Sequence, residues 1–212
     1  MTVPERNAQA LLARAYGLKN RQEGLALYRD WAATYDRTML GGLGYVSPMR
    51  AARMLTAALP LRRARVVDIG CGTGLAAIEL AASKWLRIDG VDISPQMLAA
   101  ARRRGIYGTL LVADLNQRLA LPSLRYDAMI CTGTFTHGHV GAGCMDELLR
   151  ILHPGALFAF TVHRDVLEPL GFADKIQRLT DCGRMTILRR EPGGYYETSK
   201  APDGFYFLTR KR

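Results

Sequence analysis

The sequence lacks any apolar run of about 18 residues, the length that a membrane-spanning helix requires. Its first twenty residues mix charged residues with alanines and contain no apolar core of a signal peptide. We therefore expect a cytoplasmic protein that does not associate with a membrane.

Cysteine is scarce and widely spaced. No two of the four cysteines have the spacing of a metal site, and a cytoplasmic setting disfavours disulfides. We predict no metal, and we expect small buried side chains at Cys71, Cys131, Cys144 and Cys182.

Acidic residues are fewer than basic ones, which leaves a net charge of +10. The basic residues are densest at 62–65, 102–104 and 210–212. These positions are typical of solvated ends of helices and strands, so no nucleic-acid partner is expected. The charge still leaves RNA open as an alternative substrate.

A strand followed by a glycine loop is the most informative pattern. Val66–Ile69 is typical of a buried strand, and Gly70, Gly72 and Gly74 follow it before an alanine-rich helix. Such a loop lets the backbone approach a ligand closely. The dinucleotide-binding pattern needs glycine where Leu75 stands, which disfavours an NAD-dependent oxidoreductase.

From residue 65 onwards, strands alternate with helices. The predicted strands are 65–69, 87–92, 109–113, 126–132, 156–162, 184–190 and 205–210. The predicted helices are 7–16, 21–38, 47–59, 74–83, 95–104, 143–151 and 166–182, with Ser47 and Ser94 as N-caps. We expect one α/β domain over 1–212, with a helical cap at 1–60 and a Rossmann-like core at 61–212. Its seven-stranded sheet is mostly parallel, and its last strand is antiparallel because only a short connection precedes it.

Polar residues follow several predicted strands. Asp92 lies 22 residues after Gly70, which suits a carboxylate that binds ribose hydroxyls. Asp114 follows the third strand, and Thr132 and a threonine–histidine loop follow the fourth. Carboxyl ends of parallel strands share one edge of a sheet, so these residues should converge on one crevice.

Taken in order, these motifs resemble those of class I S-adenosylmethionine-dependent methyltransferases. Asp68–Gly74 is similar to the first motif, and 90–94, 113–115, 126–130 and 152–156 match the later ones. The chain is most similar to small methyltransferase-like proteins of the Williams–Beuren-region type, which share its Tyr28–Asp36 pattern.

The resemblance implies the three-layer Rossmann-like methyltransferase fold, with S-adenosylmethionine as cofactor and S-adenosylhomocysteine as product. It places the methionine part on Asp68 and the glycine loop, the ribose on Asp92, and the adenine near Ile93, Asp114 and Leu115. The implied cofactor-binding residues are Tyr28, Trp31, Tyr35, Asp68, Gly70, Cys71, Gly72, Gly74, Asp92, Ile93, Met97, Asp114, Leu115 and Thr132.

Methyl transfer from a sulfonium is an in-line displacement that depends mainly on alignment of the nucleophile. Where the acceptor must lose a proton, His137 is the first candidate base and His139 the second. We expect the acceptor to be a small molecule methylated on oxygen or nitrogen. Arg164 after the fifth strand favours an acidic acceptor, and the lids are the N-terminal helices and the loop at Tyr195.

Two alternatives remain open at this point. One is an RNA or protein methyltransferase, although the Asn-Pro-Pro and Pro-Cys signatures of nucleic-acid methylation are absent. The other is a regulatory protein that binds S-adenosylmethionine without catalysis. We expect a monomer or a homodimer.

Overall fold

A computed structural model describes residues 3–18, 20–59, 63–82, 87–138 and 140–212. Its seven strands are β1 Arg65–Ile69, β2 Arg87–Asp92, β3 Tyr107–Val112, β4 Tyr126–Phe135, β5 Leu152–His163, β6 Met185–Gly193 and β7 Gly204–Lys211. Its α-helices are α1 Val3–Tyr16, α2 Arg21–Trp31, α3 Ser47–Ala58, α4 Leu75–Ala82, α5 Pro95–Arg102, α6 Cys144–Ile151, α7 Arg164–Leu167 and α8 Phe172–Asp181. None of the helices in the described part of the chain is long and apolar enough to cross a membrane.

The strands form a single sheet in the order β3-β2-β1-β4-β5-β7-β6. Neighbouring strands are parallel from β3 to β5, whereas β7 is antiparallel to both β5 and β6. The predicted fold class is therefore confirmed, including the antiparallel last strand. The order reverses at β1, so that β2 and β4 flank it and a crevice opens at their carboxyl ends.

Apolar residues cover both faces of the sheet. Val67 and Ile69 belong to a core cluster that includes residues of α6 and α8, whereas Val66 belongs to one that includes residues of α3 and α4. Successive strand residues point to opposite faces, so the continuous apolar run of β1 is buried on both sides.

The helix predicted for 21–38 is wrong in its second half. Helix α2 ends at Trp31, and a π-helical segment, Arg37–Gly42, follows after a turn. The hydroxyl of Thr34 bonds to the carbonyl of Trp31, and that of Thr38 bonds to the carbonyl of Thr34. Threonine hydroxyls that bond locally to the backbone compete with regular helix, which explains the early end of α2.

Two other helix predictions need correction. Ser47 is the first residue of α3 and Val46 holds the N-cap position, without a side-chain cap. The carbonyl of Tyr195 accepts hydrogen bonds from the N–H groups of Val46 and Ser47 at this end of the helix. The helix predicted for 166–182 is split into α7 and α8 by Gly171, whose φ is +70°.

The cap at Ser94 is confirmed, because its hydroxyl accepts from the N–H of Met97 at 3.3 Å.

A stack of aromatic rings stabilises the β5 side of the core. Phe160 is fully buried and its ring stacks on that of Phe207, with the centroids 4.8 Å apart. We predict that Phe160→Ala lowers the free energy of unfolding by about 3–5 kcal/mol, because it leaves a cavity. Urea denaturation measures this loss.

The matched control is Leu188→Ala on β6, where the side chain is 43% exposed. It should change the free energy of unfolding by no more than about 0.5 kcal/mol. Equal losses in the two variants would contradict the packing described for Phe160.

Candidate active site

A pocket of about 130 Å³ lies at the carboxyl ends of β1, β2 and β4, beneath α2. Its walls come from the glycine loop, from the residues after β2 and β3, and from the aromatic residues of the cap. It is lined by Arg21, Gly24, Leu25, Tyr28, Tyr35, Tyr45, Pro48, Gly70, Cys71, Gly72, Thr73, Leu75, Ala76, Asp92, Ile93, Met97, Ala113, Asp114, Leu115, Thr132, Gly133, Thr134, Gly138 and Val140.

The glycine loop passes close to β4. Gly70 has a φ of +64°, and a Cβ added to it would lie 2.0 Å from the hydroxyl oxygen of Thr134. A side chain at this position would therefore meet both backbone strain and a steric clash. Gly72, with φ of +54°, also adopts the left-handed conformation, and it turns its N–H towards β2.

The carboxylate of Asp92 joins the loop to β2. Its two oxygens accept hydrogen bonds of 2.8 Å from the N–H groups of Gly72 and Ser94. Burial raises the pKa of Asp92, while these backbone N–H groups act in the opposite direction. A carboxylate has about four acceptor positions, so both oxygens keep capacity for hydroxyl groups of a ligand.

Asp114 lies on the opposite wall, after β3. One of its oxygens accepts from the N–H of Asn116 at 2.9 Å. The other is 3.4 Å from Nε of Arg21, the first residue of α2. This contact joins the start of α2 to the wall of the pocket across its opening.

A second set of contacts ties the cap to the glycine loop. Arg104, just after α5, forms an ion pair with Asp36 and donates to the carbonyl of Thr73. The hydroxyl of Thr73 donates to the other oxygen of Asp36. The segment between α2 and α3 is thus fixed to the loop beside the pocket.

Asp68 lies beneath the loop and does not line the pocket. It is 1% exposed, and Oδ2 accepts a hydrogen bond of 2.8 Å from the hydroxyl of Tyr107. Burial raises the pKa of Asp68 to about 7, against the opposing effect of this hydrogen bond. The contact predicted between Asp68 and the methionine part of the cofactor stays a prediction.

Two further predicted cofactor residues lie elsewhere. Gly74 faces the ring of Tyr107 and the side chain of Arg104 instead of the pocket. Trp31 packs edge-to-face on Tyr35 and lines a different cavity. The predicted residues that do line the pocket are Tyr28, Tyr35, Gly70, Cys71, Gly72, Asp92, Ile93, Met97, Asp114, Leu115 and Thr132.

The cavity next to this pocket is smaller, about 40 Å³, and rich in tyrosine. It shares four residues with the larger pocket: Tyr28, Tyr35, Tyr45 and Gly133. The other lining residues come from α1, the cap, β4 and the segment after β6, and they are Leu12, Ala15, Tyr16, Trp31, Met39, Thr136, Tyr195 and Tyr196. We call it the tyrosine cavity.

The tyrosine cavity carries no formal charge. Its lining among the described residues includes no lysine, arginine, histidine or carboxylate. Burial raises the pKa of each of its tyrosines, which keeps their hydroxyls protonated near neutral pH. The hydroxyls of Tyr16 and Tyr196 are 3.0 Å apart and hydrogen-bonded, which joins α1 to the segment after β6.

His137 lines neither cavity. Its ring packs against that of Tyr16, with the centroids 5.0 Å apart, and Nε2 is 3.6 Å from an oxygen of Asp165. The second candidate base, His139, lies outside the described residues. Arg164, the residue expected to attract an acidic acceptor, is exposed. It pairs with Asp165 and donates to the carbonyl of Pro202.

Several site residues were not predicted. Tyr45 and Met39 reach the site only through the tertiary packing of the cap on β4. His163 lines neither cavity, although it is a polar residue at the carboxyl end of β5, like those noted after the other strands.

Comparison with known proteins agrees with this geometry. A family model described as a methyltransferase domain matches residues 66–155. Methyltransferase-like protein 27 of Homo sapiens is 36% identical over 163 residues, which cover 76% of this chain and 65% of that protein. The ubiquinone biosynthesis O-methyltransferase of Cereibacter sphaeroides (strain ATCC 17025 / ATH 2.4.3) is 30% identical over 178 residues, covering 80% of this chain and 68% of that protein.

The structure of the [4+2]-cyclase SpnF superposes with a TM-score of 0.69 at 18% identity, covering 92% of this chain and 97% of that one. At this identity the likeness shows the fold alone. The chain spans 44–65% of the length of methyltransferase-like protein 27 and of three matching bacterial methyltransferases.

The family match covers β1 to the start of β5, the part of the sheet that forms the larger pocket. The similarity to the Cereibacter sphaeroides methyltransferase extends beyond it, over 178 residues. The chain belongs to the class I S-adenosylmethionine-dependent methyltransferases, and S-adenosylmethionine is its cofactor.

Proposed function

We propose that the chain transfers a methyl group from S-adenosylmethionine in the larger pocket to an oxygen or nitrogen of a small molecule in the tyrosine cavity. The observation that carries this proposal is the wall shared by the two cavities. Both cavities are lined by Tyr28, Tyr35, Tyr45 and Gly133. Ligands in the two cavities would therefore contact the same residues and lie close to each other.

In this proposal the adenosine part lies between the residues that follow β2 and β3. Asp92 accepts hydrogen bonds from the ribose hydroxyls, for which its oxygens retain acceptor capacity. Ile93 and Leu115 pack on the adenine, and Asp114 accepts from its amino group. The methionine part then runs along Gly70–Gly72 towards the shared wall.

The reaction is a displacement at the methyl carbon. The acceptor's lone pair forms the new bond while the electron pair of the old bond returns to sulfur, which becomes a neutral thioether. Where the acceptor atom carries a hydrogen, its proton is lost to solvent water. The chain contributes alignment, worth several kcal/mol when the reacting atoms are held close. The shared tyrosine rings surround the cationic sulfonium, to which aromatic faces are attracted.

An uncharged or cationic acceptor suits the tyrosine cavity better than the acidic one expected from the sequence. Its neutral tyrosines offer aromatic faces and hydroxyls but no positive charge for a carboxylate. Arg164, on which the earlier expectation rested, points to the surface. Since His137 lines neither cavity, the proposed reaction uses no proton transfer to it.

Radiolabelled S-adenosylmethionine, incubated with the chain and fractionated cell extract, tests the acceptor class. We expect the label in small molecules that pass through an anion-exchange column at neutral pH. Label in RNA or protein would contradict the proposal, and so would label in anionic metabolites. Tight cofactor binding with no transfer to any fraction would instead support a non-catalytic binding protein.

We predict that Asp92→Asn weakens S-adenosylmethionine binding about 10- to 100-fold in calorimetry, because charge-assisted hydrogen bonds to the ribose are lost. The control is Asp89→Asn on the same strand, whose carboxylate bonds to Tyr126 and Arg125 outside the pocket. Its affinity should stay within about twofold of the wild type. Unchanged affinity in Asp92→Asn would remove the ribose assignment.

A second substitution distinguishes acceptor binding from cofactor binding. Ala15 on α1 is buried and lines only the tyrosine cavity, so Ala15→Leu adds three carbons to a space of about 40 Å³. We predict that label transfer falls at least tenfold while S-adenosylmethionine affinity is unchanged.

The matched control is Ala13→Leu, an exposed position on the same helix, which should transfer label at the wild-type rate. Full transfer by Ala15→Leu would show that the acceptor binds elsewhere. A loss of cofactor affinity in that variant would show that the two cavities are not separate subsites.

A further inference from the structure

Three potential metal ligands meet outside both cavities. His137 follows β4, His163 ends β5, and Asp165 lies in the first turn of α7. Their ligand atoms all lie within 4.8 Å of one another. We propose that these three side chains form a binding site for a divalent transition-metal ion. This inference does not rest on the proposed methyl transfer.

Two of the three distances between the ligand atoms are close to those around a bound metal ion. Oδ2 of Asp165 is 3.6 Å from Nε2 of His137 and 3.6 Å from Nδ1 of His163. Ligands bonded to zinc at about 2.1 Å in a tetrahedron lie about 3.4 Å apart. The two carboxylate–imidazole distances therefore need to shorten by only a few tenths of an ångström.

Both imidazoles direct a suitable nitrogen at the carboxylate. Nδ1 of His163 accepts a long hydrogen bond of 3.3 Å from the backbone N–H of Asp165, so it carries a lone pair that an ion would take over. Nδ1 of His137 is 3.3 Å from the hydroxyl of Thr136. Metal-binding histidines commonly have such an oxygen partner on the other ring nitrogen.

The charge and exposure of the cluster favour a transition metal with an open coordination position. Two imidazoles and one carboxylate suit Zn²⁺, Co²⁺ or Fe²⁺ better than Mg²⁺ or Ca²⁺, which prefer oxygen ligands. Asp165 is 54% exposed, so water can complete the coordination. Nε of Arg164 is 3.5 Å from the other oxygen of Asp165, Oδ1. Because this ion pair is exposed, it competes only weakly with a metal ion for the carboxylate.

The cluster also supports the lid of the tyrosine cavity. The ring of Tyr16, near the end of α1, lies 5.0 Å from the ring of His137 and 5.1 Å from that of His163. An ion that fixes both imidazoles would fix the surface on which this end of α1 packs.

Titration with Co²⁺, followed by visible absorption of the full chain after chelator treatment, tests the site. We expect one Co²⁺ per chain and displacement of the band by Zn²⁺. Both His163→Asn and Asp165→Asn should weaken binding at least tenfold. Since Asp165 is half-exposed, its variant keeps the test valid if substitution of the buried His163 impairs folding.

Two control variants address other metal ligands. His153→Asn, at the opposite end of β5, also removes one histidine. Cys182→Ser removes a thiol that is exposed after the end of α8, which corrects the expectation that this cysteine is buried. Both should bind Co²⁺ like the wild type. The proposal is overturned if the wild type shows no saturable binding. It is equally overturned if His163→Asn and Asp165→Asn keep full affinity, or if binding is lost with Cys182.

Discussion

The hydrogen bond from the N–H of Gly72 to the carboxylate of Asp92 joins the ends of β1 and β2, two of the strands that form the site. It holds the glycine loop in its left-handed turn against β2 while the carboxylate stays inside the pocket. The loop also has to pass within van der Waals contact of Thr134, which leaves no room for a side chain at Gly70. The Arg104–Asp36–Thr73 contacts then attach the cap to the same loop. The position of the cap, and with it the tyrosine cavity, depends on this turn.

The two cavities differ in a way that suits two different ligands. The larger pocket places carboxylates on two walls, where a ligand rich in hydroxyl and amino groups finds acceptors. The tyrosine cavity places aromatic faces and protonated hydroxyls around a small uncharged space. Because the tyrosines at the shared wall are neutral, a sulfonium placed there would have aromatic contacts. Catalysis in such a site comes from alignment and from exclusion of water.

The sheet and the larger pocket were predictable because their signals are local. A strand, a glycine loop and acids at successive strand ends lie within 50 residues of one another, and parallel topology brings those ends together. The tyrosine cavity combines residues from Leu12 to Tyr196, which no periodicity connects. His137 and His163 also show the limit of strand-end reasoning. Both lie at strand ends, but the turn after β4 directs His137 towards Asp165 of α7, and neither histidine lines a cavity.

One ligand should span the larger pocket and end at the shared wall, and a crystal structure of the chain with S-adenosylhomocysteine measures this. We expect both ribose hydroxyls to lie within hydrogen-bond distance of the Asp92 carboxylate, and we expect the sulfur to face Tyr28, Tyr45 and Gly133. A ribose away from Asp92, or a sulfur directed away from the tyrosine cavity, would contradict this expectation.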